Sequence, residues 1–132
     1  MVAANDRCAL ILKLSPGQAG DAPAGRELLE AGGPVPAGCL LIMDSAYEGD
    51  ETLRLARQLG YIPVVPPNPN RLEPWEYDRM AYRRRNEVER LFRRLKAYRR
   101  VFCRFDKLDA LFAGFVVFAL IIEALRVSVN RP

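Results

Sequence analysis

The sequence predicts an α/β fold, on two observations. Two short apolar runs, "GCLLIMD" (38–44) and "YIPVV" (61–65), flank an amphipathic stretch, which is a strand–helix–strand pattern. The second half then takes on the period of long helices, basic at first and apolar later. Half of the 132 residues are apolar and 27% are charged, a globular composition sufficient for one domain with its own core.

The elements follow in order. "MVAANDRCALILKL" reads as the end of one strand, a turn at Asn5-Asp6 and a second strand from Cys8 to Leu14. "SPGQAGDAP" is a loop by its Pro and Gly content, with Asp21 placed to cap a helix that begins near Pro23 and ends at Gly32-Gly33. Gly38 to Asp44 is a continuous apolar run, as expected of a strand buried on both faces. Asp50 is placed to cap the next helix, which carries Leu53, Leu55 and Leu59 and closes with Gly60 at C′. Tyr61 to Val65 is then a strand parallel to the previous one, joined by a right-handed crossover. Pro63 puts that strand at an edge or a bulge. "PPNPNRLEPWE" is an irregular connector, with Trp75 pinning it to the body. From about Tyr77 the chain turns helical, breaks between Arg100 and Asp106, and resumes near Leu108. The apolar run Ala110 to Ile122 falls short of the roughly 20 residues that span a bilayer, so it reads as a buried core helix. A membrane-associated basic protein is the weakest reading. The N-terminus lacks a basic region followed by an apolar one, so a cytoplasmic protein is expected.

Composition narrows the chemistry. There is no histidine, which removes Ser-His-Asp and Cys-His machinery and disfavours zinc. The three cysteines are far apart and odd in number, which fits a reducing compartment. Catalysis has to come from carboxylates, Lys, Arg, Tyr, Ser or Cys. The net charge of +4 is uneven: residues 79–100 hold ten basic and two acidic side chains, against ten and fourteen elsewhere. A block rich in arginine, whose fork suits phosphate, points to nucleic acid, although a solvated helix face would look similar.

Two carboxylates stand out. Asp44 closes a strand, where α/β sheets bind ligands; the other reading is a cap on the following turn, which the residues alone favour. "YRRRNEVERLFRRLK" can be laid out as one continuous helix with Arg85 at the origin. Lys96 then falls at about 20°, Glu89 at about 40° and Tyr82 at about 60° around the axis. These four make a single stripe about 21 Å long. Val88, Phe92 and Leu95 form an adjoining apolar stripe, and Glu87 points away as a surface charge. Glu89 either does chemistry or pairs with Arg85 at i, i+4.

Tyr82, Arg85, Glu89 and Lys96 fit the pattern Y-x2-R-x3-E-x6-K, and the chain resembles bacterial insertion-sequence transposases of the DDE type. "LSPGQAGD", "IMDSAYEGDETL", "GYIPVVPPNPNR" and "RVFCRFDKLDALFAGFV" resemble flanking blocks of that family in the same order. The resemblance implies a ribonuclease-H-like mixed sheet flanked by helices and an acidic triad binding two Mg2+ (or Mn2+) ions. Carried over, Asp44 corresponds to the second Asp and Glu89 to the Glu. Tyr82, Arg85 and Lys96 are expected to contact DNA at the element's ends or support the site, with Arg93 and Arg94 adding phosphate contacts. Hard divalent ions take carboxylate and phosphate oxygens, so the lack of histidine is no obstacle. The expected partners are double-stranded DNA and further copies of the chain, in the bacterial nucleoid and not in a membrane. The family's first Asp belongs on a first strand, whereas this chain reads as starting inside the second. Asp6 in the hairpin turn and Asp21 in the loop are no substitutes. Residues 1–132 are therefore expected to be a partial catalytic domain, inactive alone; a non-catalytic DNA-binding or subunit-binding remnant is the alternative.

Overall fold

The computed structural model describes residues 1–14, 20–104 and 107–129. The structure is mixed α/β and divides into two compact units. One unit is Ser15–Arg85; the other combines Met1–Leu14 with Asn86–Pro132.

In the Ser15–Arg85 unit, helix α1 (Asp21–Gly32) is followed by strand β3 (Cys39–Ile42), helix α2 (Asp50–Gln58) and strand β4 (Tyr61–Val64). The strands pair in parallel with Leu40 opposite Ile62 and Leu41 opposite Pro63, the expected strand–helix–strand unit. The register runs through Pro63 without a bulge, and among the described residues β4 has β3 as its one partner, so the proline sits on an edge strand. Leu29, Leu41, Met43, Leu53, Ala56 and Val65 form the core. Burial of β3 on both faces is not what the structure shows. Leu41 is buried, but Leu40 and its partner Ile62 are 47% and 50% exposed, because α1 and α2 pack against one face of this two-stranded ribbon. The two predicted caps also move by one residue. Gly20 and Gly49 are the N-caps, and Asp21 and Asp50 lie in the first turns, where a carboxylate still complements the helix dipole. Gly60 closes α2 with φ +93°; a Cβ there would lie 2.4 Å from the Val35 carbonyl oxygen. Trp75 pins the connector as expected, donating its indole N–H to the Val65 carbonyl at 3.0 Å and packing on the core. Arg71 stacks on the Trp75 ring at 4.7 Å and is held by Asp50. The loop predicted over "SPGQAGDAP" falls largely on residues 15–19, outside the described residues.

In the other unit, β1 (Val2–Ala3) and β2 (Ala9–Ile11) make an antiparallel hairpin. Asn5 Oδ1 accepts from the backbone N–H groups of Arg7 and Cys8, each at 2.9 Å, which is the turn chemistry that Asn favours. The second strand is shorter than Cys8 to Leu14. Helices α4 (Asn86–Lys96), α5 (Arg99–Cys103) and α6 (Asp109–Val129) complete this unit. Its core is Leu91, Leu95, Val116, Ala119 and Leu120, with Met1, Ala3, Ala9 and Leu12 of the hairpin against it. The helical segment breaks earlier than expected, at residues 97–98, and α5 occupies much of the stretch where the break was expected; residues 105 and 106 are outside the described residues. Helix α6 is not a fully buried core helix. Val116, Ala119, Leu120 and Glu123 are buried, whereas Leu111, Phe118, Ile121 and Leu125 are 51–61% exposed. Among the described residues no helix is long and apolar enough to cross a membrane.

Helix α3 (Arg79–Tyr82) ends the Ser15–Arg85 unit, followed by a 3-10 turn at Arg83–Arg85. The basic segment is therefore not one continuous helix. Three steps of a 3-10 turn at about 120° each return to the same side, so Tyr82 and Arg85 lie over one another and not about 60° apart as in an unbroken α-helix.

Candidate active site

Asp44 follows β3 and starts a 3-10 turn at Ser45–Tyr47. Its Oδ1 accepts from Ser45 Oγ at 3.1 Å and from the Ala46 N–H at 3.4 Å, so the capping role is real. Its Oδ2 accepts from Arg85 Nη1 at 3.2 Å. The Asp44 side chain stays 46% exposed and that of Arg85 35%, which leaves the carboxylate reachable. Arg85 also lies over the Tyr82 ring, 5.9 Å from its centroid, and Tyr82 meets Tyr77 edge to face at 5.5 Å. Asp78 fixes the start of α3, accepting from the Met80 and Ala81 N–H groups at 2.8 and 2.9 Å. Within one unit, Asp44, Tyr82 and Arg85 thus come together, although 41 residues separate Asp44 from Arg85.

Glu89, Arg93, Arg94 and Lys96 belong to the other unit, on α4. Glu87 and Glu89 lie in its first turn, where the N-terminal dipole favours carboxylates. Both are half-buried, so Glu87 is not the plain surface charge expected. The buried face of α4 runs through Leu91 and Leu95, and Phe92 is 45% exposed. Leu95 of the predicted apolar stripe is therefore buried as expected, whereas Leu91 takes the place of Phe92. Arg93 and Lys96 are exposed. Arg94 reaches back to the hairpin turn, donating from Nη2 to Asp6 Oδ2 at 2.8 Å and from Nε to the Asp6 carbonyl at 3.1 Å. This guanidinium bond holds the Asp6 carboxyl below its ordinary range.

One charged residue escaped the sequence reading. Glu123 is 2% exposed within α6 and accepts from Arg7 Nη1 (3.1 Å), Tyr98 Oη (2.9 Å) and Arg126 Nη1 (2.8 Å). Arg94, Ala97, Tyr98, Glu123 and Arg126 line a cleft of about 350 Å³. Burial, then the bond to Glu123, raises the Tyr98 phenol above its ordinary range. A lone carboxylate in the apolar run "ALIIEALRV" was the available signal.

Residues 1–122 match the family described as Transposase DDE domain. The chain belongs to the DDE transposase family. It is 33% identical over 118 residues to a putative transposase for insertion sequence element IS6501 from Brucella ovis, an alignment covering 89% of this chain and 88% of that protein. No solved structure matches this transposase chain. The family places it in an enzyme class, that of insertion-sequence transposases. Among the described residues, no three carboxylate or thiol side chains of the transposase chain gather as a metal-binding group.

Proposed function

We propose that this transposase chain is part of a ribonuclease-H-like domain of the kind that cuts and joins DNA at insertion-sequence ends, with Asp44 and Glu89 as two of its carboxylates. In this reading residues 1–132 are a partial catalytic domain, and a family match that runs across both units supports treating them together. The observation that carries the proposal is the Asp44–Arg85 contact. It joins the strand-end aspartate to the arginine of Y-x2-R-x3-E-x6-K, which supports a shared site for the two sequence blocks.

The donor chemistry suits Mg2+ or Mn2+: carboxylate oxygens, no histidine, and an Asp44 side chain exposed enough to exchange its guanidinium partner for a cation. Bound to Asp44, Glu89 and substrate phosphate, such ions would supply activation of the attacking hydroxyl and stabilisation of the leaving oxygen. The chain's own residues orient and hold the DNA. Arg85 and Tyr82 stand beside Asp44 to receive a phosphate or base edge, while Arg93, Arg94 and Lys96 add positive charge along α4. Work on chromosomal DNA places the protein in the cytoplasmic nucleoid, and bringing two element ends together calls for more than one copy.

Two-metal displacement asks for a third carboxylate beyond Asp44 and Glu89. The isolated chain is therefore proposed to bind duplex DNA without cutting it. The test is a nicking assay on element-end DNA with Mg2+, using the full chain and a version extended by an Asp-bearing strand from a relative. Nicking is expected only in the extended protein, and Glu89→Gln should remove it. Nicking by the unextended chain that Asp44→Asn stops would overturn the inactivity. Failure of either protein to bind DNA at low salt would overturn the reading itself.

A further inference from the structure

Helix α6 is apolar on two opposite sides. At about 100° per residue, the buried Val116, Ala119, Leu120 and Glu123 centre on one face, and Leu111, Gly114, Phe118, Ile121 and Leu125 centre roughly 170° away. That second row has the spacing 3-4-3-4, the seam of a two-helix coiled coil. The remaining aromatic rings of α6 are differently provided for. Phe112 lies under the Arg104 guanidinium at 5.0 Å and Phe115 under that of Arg100 at 4.5 Å. The row itself stands 51–61% exposed at its four large side chains, and Val117 beside it is 45% exposed.

The row has a knob and a hole. Phe118 protrudes, 61% exposed, while a Cβ placed on Gly114 would meet nothing within 4 Å. Ala110, Leu111, Gly114, Phe115 and Phe118 line an almost wholly apolar groove of about 370 Å³. An antiparallel second copy, related by a two-fold axis beside residue 116, sets Phe118 of each chain opposite Gly114 of the other and Leu111 opposite Ile121. Both pairings obey the same register, as an isologous interface demands. We infer that the Leu111–Leu125 face of α6 is a self-association surface on which a second copy of this chain docks antiparallel, Phe118 into the Gly114 gap.

The area is sufficient. Five large side chains, each about half exposed, present on the order of 450–500 Å² of apolar surface, so two copies would bury roughly 1,000 Å² together. An apolar patch of that size is in the range of the largest patch on a monomer's surface, which is often functional. The inference specifies the surface behind the multiple copies proposed above and does not depend on DNA chemistry.

The experiment measures the mass of the full chain by light scattering across micromolar to millimolar concentrations. Wild type is expected to be dimeric. Phe118→Glu and Gly114→Phe should each give a folded monomer, with helicity checked by circular dichroism and Ile121→Lys used if Phe118→Glu misfolds. The swap Gly114→Phe with Phe118→Ala should restore the dimer, because the two-fold exchanges knob and hole. A wild-type monomer, whether its α6 row is covered by its own Ser15–Arg85 unit or by lipid vesicles, overturns the inference. So does a dimer that survives Phe118→Glu, or a swap that stays monomeric. Duplex DNA binding measured on the same monomeric variants tells the two proposals apart, since the α6 row carries no charge.

Discussion

Asp44 divides its two oxygens between a turn and a guanidinium, and the Glu123 carboxylate is shared by three donors. The two groups differ in what their removal should do. Glu123 is buried while the Arg7 and Arg126 side chains are 30% and 58% exposed, so the arginines can rehydrate once their partner is neutral. Glu123→Gln should therefore cost about 2 kcal/mol in urea unfolding, less than the usual loss on breaking a fully buried pair. Asp44→Asn keeps the cap and should change stability little. Asp6 adds a pH dependence. Its folded pKa is lowered, chiefly by the hydrogen bond from Arg94, so its contribution is present above the unfolded value near 3.8 and is lost as pH falls through the folded one. Acid titration should show this loss in wild type and not in Arg94→Ala. Tyr98 acts at the other end. Its raised pKa means full stability below about 10 and loss as pH climbs beyond it, a loss that Tyr98→Phe should remove. The capping role of Asp44 was legible, because a carboxylate at a strand end can accept from the turn that follows. Glu123 was not, because two of its three partners, Tyr98 and Arg7, lie 25 and 116 residues away.

Helix α2 and the parallel β3–β4 pair follow directly from apolar runs and a terminal glycine, and the structure returns them within a residue or two. Gly60 is the clearest case. Its positive φ and the 2.4 Å approach to the Val35 carbonyl leave no space for a methyl group, so Gly60→Ala should cost at least ~2 kcal/mol in thermal or urea unfolding. Gly33 stands in open space, but its φ of 69° and ψ of −172° are open essentially to glycine alone, so the same change there should cost about 1–3 kcal/mol through backbone strain. The 3-10 turn at Arg83–Arg85 was not legible. "YRRRNEVE" contains no proline or glycine to interrupt a helix, and its residues favour continuation. Where the helix breaks, Arg85 reaches Asp44, a long-range contact that periodicity alone does not encode.

The chain closes on itself: its first fourteen residues share a core with α4 and α6, while the strand–helix–strand segment has a core of its own. Sequence alone does not reveal this division of cores, because nothing in a local window marks the hairpin as belonging with helices in the far half of the chain. Charge is the property that does read directly. The 79–100 block should bind duplex DNA with a log–log salt slope near −0.9 per phosphate engaged, and a flat salt response would count against it. Arg93→Ala should weaken binding alone. Arg94→Ala should weaken binding and also loosen the hairpin held through Asp6. The single tryptophan has a further consequence. Trp75, bonded to Val65 and stacked under Arg71, is a fluorophore confined to one unit, while the 21-residue α6 dominates the helical signal of the other. Emission thus reports the Ser15–Arg85 unit alone while circular dichroism reports the helices of both, and any gap between their melting curves measures how far the two units unfold separately.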